Sequence, residues 1–559
     1  MAVLQKLFTF KSLQPLGIAL SIVLLPSVEF QHSVRAAERI YGTYGPFESS
    51  VAIESIEKFA KTGEIDSALA NYAQDLSPQQ LAQLRRVLTT KIDLNAVAVS
   101  AFLYSPTGET LLRRLGQIIQ TPSGLSGFYA IRAALILAAA DEQRGFTVLN
   151  VLRRFPTSGI RVDLRQSLRI VDELQQLLAR TQQAVALIEQ QSTTAALGQP
   201  QVNFARLPDI RQRGTFTWSK QTLSLYDRQR DRTFLVDLYL PQQTSRDANS
   251  LTRHSPLPVI VISHGLGSDR NTFQYLAQQF ASYGFAVAVP EHPNSNAEQL
   301  RVLLAGRADD VSQPREFINR PLDIKYLLDV LAQLDRSEPS FQLNLQQVGV
   351  IGHSFGGYTA LALAGAELNF QQLQQECRNL SDSLNPSLLL QCRALELPRT
   401  EYNLRDKRVK AAIAINPITS AVFGQAGLSQ IQIPVTIISS SDDRAAPALS
   451  EQIRPFTWLT AKDKYLVLLQ GGTHFSATGE SNPETDPVPI PASVIGPETA
   501  LARRYLQALS VAFFETYVAN SQQYRPYLSA DYAQAISQPS LPLSLVQSLP
   551  TNDLAQFVQ

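Results

Sequence analysis

Cysteine, histidine and net charge are all scarce in this 559-residue chain, and each scarcity narrows its chemistry. Forty-nine basic residues stand against 48 acidic ones, a formal charge of +1 with no block of like sign. That balance argues against a nucleic-acid partner, whose phosphates call for a basic face. No stretch after residue 36 has the length and apolarity to span a membrane. No fixed-period repeat is visible, and 44% hydrophobic with 17% charged residues describes a globular protein too long for one ordinary domain. Two cysteines, Cys377 and Cys392, are too few to hold a structural metal. Only six histidines are present, so any histidine-dependent step must draw on His32, His254, His264, His292, His353 or His474.

The N-terminus reads as an export signal. Lys6 and Lys11 give a positive start, Leu16 to Leu25 a short apolar run ended by Pro26, and Val34-Arg35-Ala36 a site for cleavage after Ala36. A retained N-terminal anchor is the alternative. Export makes the cysteines readable: the expectation is one disulfide, Cys377–Cys392, with two free buried thiols as the alternative.

Residues 37–189 read as an all-helical domain. Val51 to Thr62 is amphipathic, with Gly63 as a stop. Ser77-Pro78-Gln79-Gln80 supplies a cap, a proline at the first helical position and a Gln at the third. Leu164, Leu168, Val171, Leu174 and Leu178 continue the helical period. This region carries no catalytic constellation; it is either a structural bundle or a cap or docking surface for lipid or protein. Residues 190–213 read as a linker. Beyond it, alternating strands near Thr215–Trp218 and Thr233–Leu240 give way to buried β-branched runs separated by helices. That pattern predicts a mostly parallel sheet covered on both faces. Residues 366–408 interrupt it and are expected to form a lid stapled by the cysteines. The tail over 521–559 is rich in Gln, Ser and Pro and reads as an ordered strap or a partly loose end.

The most informative stretch is Gly352-His353-Ser354-Phe355-Gly356-Gly357, lying between the run Val348–Ile351 and the helical pattern from Tyr358. Strand, tight turn and helix with a serine at the turn is the context of the G-x-S-x-G nucleophile elbow. The glycines are there because side chains two positions either side of the serine would meet backbone. A serine hydroxyl needs a base to take its proton. His474 follows the last strand in Gly471-Gly472-Thr473-His474, where the order nucleophile, acid, base puts it. The acid is expected after the Val435–Ile438 strand, in Ser441-Asp442-Asp443-Arg444-Ala445-Ala446-Pro447. Asp443 is preferred because Pro447 completes a D-x-x-x-P pattern; Asp442 is the alternative. The oxyanion is assigned to the amides of Phe355 and, in His264-Gly265-Leu266-Gly267, of Leu266.

With Ser263–Gly267, Pro290-Glu291-His292, Gly352–Gly357 and Gly472-Thr473-His474 in hand, residues 214–520 resemble the α/β-hydrolases. Within them the chain is most similar to the platelet-activating-factor acetylhydrolases and their dienelactone-hydrolase-like relatives. The helical region resembles one fused to exported cyanobacterial hydrolases. The resemblance implies an α/β fold: an α/β-hydrolase domain at 214–520 with an insertion at 366–408, after a signal peptide at 1–36. It implies hydrolysis of lipid-like or small acyl esters with no cofactor, metal or calcium. Ser354, Asp443 and His474 carry over as the triad, and Leu266 and Phe355 as the oxyanion hole. Dienelactone hydrolases proper use cysteine where this chain has Ser354, which moves the expectation away from their substrate. The expected partners are an ester substrate and, through the helical domain or lid, a lipid or membrane surface. An acyltransferase or polyester hydrolase with the same triad, and a catalytically silent binding protein, remain the competing readings.

Overall fold

A computed structural model describes residues 36–74, 76–198, 202–242, 256–338, 342–380, 382–480 and 492–550. The signal segment expected over 1–36 lies outside the described residues but for Ala36, as do His32 and His254. The chain divides into two compact units. One comprises residues up to Leu178 together with Leu300–Val311; the other comprises Ala179–Gln299 and Ser312 onward.

The first unit is not all-helical. Alongside its helices runs a four-stranded sheet of β1 (Arg39–Tyr44), β2 (Phe47–Ala52), β3 (Ile119–Gln120) and β4 (Gly159–Asp163), in the order β2-β1-β4-β3. β1 pairs antiparallel with β2 and parallel with β4. The strands escape sequence periodicity because they are short, and because β1 finds its partner β4 more than a hundred residues away. Pairing of Ser49–Ala52 with Arg39–Gly42 also shortens the expected Val51–Thr62 helix to Ile53–Thr62. Gly63 does end it, at φ 80°. Ser77 and Gln80 form the expected reciprocal capping box, with Pro78 at the first helical position. The expected linker at 190 is still helix, because Leu164–Leu197 continues through buried Ser192 and Ala196.

The second unit is built on nine strands: β5 (Thr217–Asp227), β6 (Arg232–Gln242), β7 (Leu257–Ser263), β8 (Ala286–Pro290), β9 (Leu343–His353), β10 (Val409–Ile415), β11 (Val435–Ser440), β12 (Lys464–Leu469) and β13 (Leu543–Val546). Their order is β13-β12-β11-β10-β9-β7-β8-β6-β5. β8, β7, β9, β10, β11 and β12 run parallel, while β5, β6 and β13 are antiparallel additions at the edges. Alternate residues of β7 enter different cores. Ile260 and Ile262 join the helices Gln274–Ser282 and Thr499–Tyr517, and Val259 and Val261 join Glu316–Ser337 and Phe355–Ala364. That two-sided burial is why these strands read as unbroken apolar runs. Over its described residues, to Pro550, the tail is ordered as a strap: Leu543 and Leu545 are buried in β13, and Leu545 N donates to Ser192 Oγ.

The insertion over 366–408 contains the helices Phe370–Cys377 and Leu388–Gln391, and Cys377 is bonded to Cys392. Buried Gln391 accepts from the amides of Ala421 and Val422 at 2.9 and 3.0 Å. It also donates to buried Glu451 at 3.0 Å. The insertion is thereby fixed to the loop beyond the carboxyl end of β10.

Cross-linking across 15 positions is worth about 3 kcal/mol through the unfolded chain. Replacing both Cys377 and Cys392 by serine is expected to lower the unfolding free energy of the second unit by that amount, read by denaturant titration.

Candidate active site

β7 is flanked by β8 on one side and β9 on the other, so the chain changes direction across the sheet at this point. In open α/β sheets the crevice beyond the carboxyl ends of such strands is where ligands bind. The chemistry-bearing residues follow five adjacent strands: Leu266 after β7, Ser354 after β9, Asn416 after β10, Asp443 after β11 and His474 after β12.

Ser354 sits between β9 and its helix at φ 55° and ψ −115°, a conformation side chains rarely adopt. Its amide is held by Ile415 O at 2.8 Å. The crowding inferred for the flanking glycines is present. A Cβ on Gly352 would lie 2.0 Å from Gly356 O, and one on Gly356 would lie 2.0 Å from Ser263 O. No non-glycine residue fits either position.

The structure brings Asp443 and His474 together. His474 Nδ1–H donates to Asp443 Oδ2 at 2.7 Å, and both side chains are buried. The other oxygen, Oδ1, accepts from the amides of Ala445 and Ala446 at 2.9 and 2.7 Å. Asp443 is thus a fixed carboxylate with one oxygen left for the histidine. Asp442, the alternative acid, is exposed and takes its side-chain bond from Ser441. With Nδ1 as the donor, the Nε2 of His474 is the nitrogen able to take a proton.

Leu266 N and Phe355 N, the two amides assigned to the oxyanion, donate to no carbonyl among the described residues. Phe355 opens its helix, where an amide has no intrahelical acceptor.

Two positioning groups were not read from sequence. His353 Nε2–H donates to His474 O at 2.8 Å, and Asn416 Nδ2 reaches the same oxygen at 3.2 Å. The loop carrying His474 is therefore tied to the residue beside Ser354. The His353 side chain thus anchors the loop that carries His474. Asn416 lies at φ 44° in Ile415-Asn416-Pro417, just past β10. No local pattern announces either contact, since both depend on neighbouring strand ends.

A fully buried chain also runs from Ser263 Oγ to His292 Nε2 (3.0 Å) and from His292 Nδ1 to Asp323 Oδ2 (3.0 Å). Asp323 is held in turn by Arg232 and Arg230. His292 N donates to His264 Nε2 at 3.0 Å, and His264 Nδ1–H to Gly265 O at 2.8 Å. Burial pushes His264 and His353 down to about 3 and His292 well below its ordinary value.

A nine-stranded, mostly parallel sheet with a serine elbow after β9 and an Asp–His pair after β11 and β12 defines an α/β-hydrolase. Family comparison agrees. Residues 36–163 match the family described as "Alpha/beta hydrolase of unknown function", and residues 230–322 match "Platelet-activating factor acetylhydrolase, isoform II". Platelet-activating factor acetylhydrolases of Cavia porcellus, Bos taurus and Canis lupus familiaris are 26%, 24% and 29% identical over 144, 147 and 151 residues. Each match covers 20% of this chain and 33% of the relative, so the likeness spans about a third of those proteins. The fold is that of an α/β-hydrolase, and the matched segments resemble the platelet-activating-factor acetylhydrolases.

Asp443→Asn is expected to cut kcat by about 10⁴-fold through loss of the correct tautomer, with Asp442→Asn near wild type, in steady-state ester assays. Stability should also respond to acid. The three buried histidines stay neutral in the fold, while the unfolded chain takes up protons below about pH 6.5. Their contribution is therefore complete above that pH and is lost toward pH 3, at roughly 1.4 kcal/mol per pH unit for each. Thermal denaturation should show a Tm that falls steadily from pH 7 to pH 5.

Proposed function

We propose that the protein is an exported serine carboxylic-ester hydrolase acting on lipid-like or small acyl esters. The observation that carries the reading is the Asp443–His474 hydrogen bond, placed beyond the same sheet edge as the strained Ser354. Ser354 Oγ attacks the ester carbonyl while His474 Nε2 takes its proton. The amides of Leu266 and Phe355 hold the oxygen that becomes negative. Collapse breaks the acyl–alkoxy bond, and His474 returns the proton to the departing alcohol. Water, activated by the same histidine, then releases the acid and restores Ser354. Asp443 orients the imidazole and stabilises its charged form without taking the proton.

Lipid-like esters are favoured by the likeness to proteins named platelet-activating factor acetylhydrolase. The stapled insertion is proposed as the lid that bounds the acyl group. Its Gln391 grips Ala421 and Val422, a few residues beyond Asn416, which steadies the histidine loop. Export is supported by the signal pattern at 1–36 and by the Cys377–Cys392 disulfide, a bond at home in oxidising compartments. A lipid or membrane surface remains the proposed partner of the first unit.

The purified protein should turn over p-nitrophenyl acetate and butyrate and label at Ser354 with a fluorophosphonate probe. Ser354→Ala should lose both, leaving a residual rate at least about 10³-fold lower. Turnover that survives this substitution would sink the assignment.

A further inference from the structure

We infer that Arg320, in the helix Glu316–Ser337, is the positioning residue that sets the oxyanion hole. The inference rests on the serine-hydrolase reading above. The Arg320 side chain is fully buried, and its hydrogen bonds go to neutral acceptors on the loops after β7 and β8. Nη1 donates to His264 O at 2.6 Å. Nη2 donates to Gly265 O at 3.3 Å and Ser295 O at 3.2 Å, and Nε donates to Ser295 Oγ at 2.9 Å. The Ser295 carbonyl is shared with the amide of Gly267 at 2.9 Å, so one planar fork grips the loop on both sides of Leu266.

The consequence lies in peptide geometry. In a trans peptide the C=O and N–H point in opposite directions. Gly265 O is drawn onto Arg320 and onto His264 Nδ1–H, which turns the Leu266 amide away from both. That amide keeps no acceptor among the described residues and stays available to a substrate oxygen. If the peptide rotated, a carbonyl would face the developing negative charge in place of a donor. The same guanidinium lies 4.4 Å from the ring centroid of Phe355, whose amide is the other donor. One side chain thus braces both halves of the hole. Burial lowers Arg320 to about 9, which leaves it charged at neutral pH, where its field also favours the oxyanion. Lysine keeps the charge but cannot reach four acceptors from a plane.

The test compares Arg320→Lys and Ser295→Ala with wild type. The measurements are p-nitrophenyl butyrate kinetics, inhibition by an aryl boronic acid that forms a tetrahedral adduct on Ser354, and Tm, with rates normalised to folded protein. Arg320→Lys should lower kcat about 100-fold, the scale of one lost oxyanion donor, with KM within about threefold. The boronate inhibition constant should rise by a similar factor. Ser295→Ala, which removes one of four contacts, should shift kcat and boronate affinity together by several-fold. It carries the test should Arg320→Lys fail to fold. Unchanged kcat and boronate affinity per folded molecule would overturn the inference and leave Arg320 a packing residue. Ser354→Ala run alongside separates the levels: surviving turnover there defeats the hydrolase reading, whereas a dead Ser354→Ala beside an unaffected Arg320→Lys defeats only the role of Arg320.

Discussion

The site depends on one close approach: the elbow after β9 comes up against the end of β7 with nothing between them but backbone. Gly356 lies so near Ser263 O that a single methyl group would collide with it. This contact sets Phe355 and Ser354 beside the His264–Gly267 loop and makes one crevice of two loops. The strain at Ser354 is tolerated because the surroundings fix it: Ile415 O holds its amide, and its helix is buried along its whole length. Glycine at these positions is a condition for Ser354 and the His264–Gly267 loop to lie side by side at all.

Besides the Asp443–His474 pair near Ser354, the fold holds a fully hydrogen-bonded serine–histidine–aspartate chain. Ser263, His292 and Asp323 make the hydrogen bonds of a triad, but all three are fully buried and Asp323 is committed to Arg232 and Arg230. No substrate carbonyl can reach Ser263 Oγ. The chain instead carries rigidity from the helix Glu316–Ser337 to the β7 loop, by way of the bond from His292 N to His264. Access and backbone conformation separate the two serines: Ser354 is only partly buried and its φ is positive, while Ser263 is an ordinary strand residue.

The sheet of the second unit was legible because its strands are buried on both faces and so spell themselves as apolar runs. The Ser354 turn and the Asp443–His474 pairing were legible because each lies beside glycines or just past a strand. What escaped depends on partners distant in the chain. β1 and β4 are short, and they pair with each other across more than a hundred residues of chain. His353 and Asn416 acquire their roles from a carbonyl on another strand's loop. Arg320 reads in sequence as one more charge on an amphipathic helix, since nothing local says that its acceptors are the carbonyls of residues 264, 265 and 295. The Gln- and Ser-rich tail was ambiguous for the same reason, as its order comes from pairing with β12.

That last pairing bears on the timing of biosynthesis. β12 delivers His474, and its outer edge is covered by Leu543–Val546. A ribosome completes Ser354 more than a hundred residues before it completes the strand that closes this edge. Until then β12 presents unpaired backbone beside His474, an edge open to foreign strands. A growing chain therefore carries Ser354 long before the sheet edge beside His474 is closed.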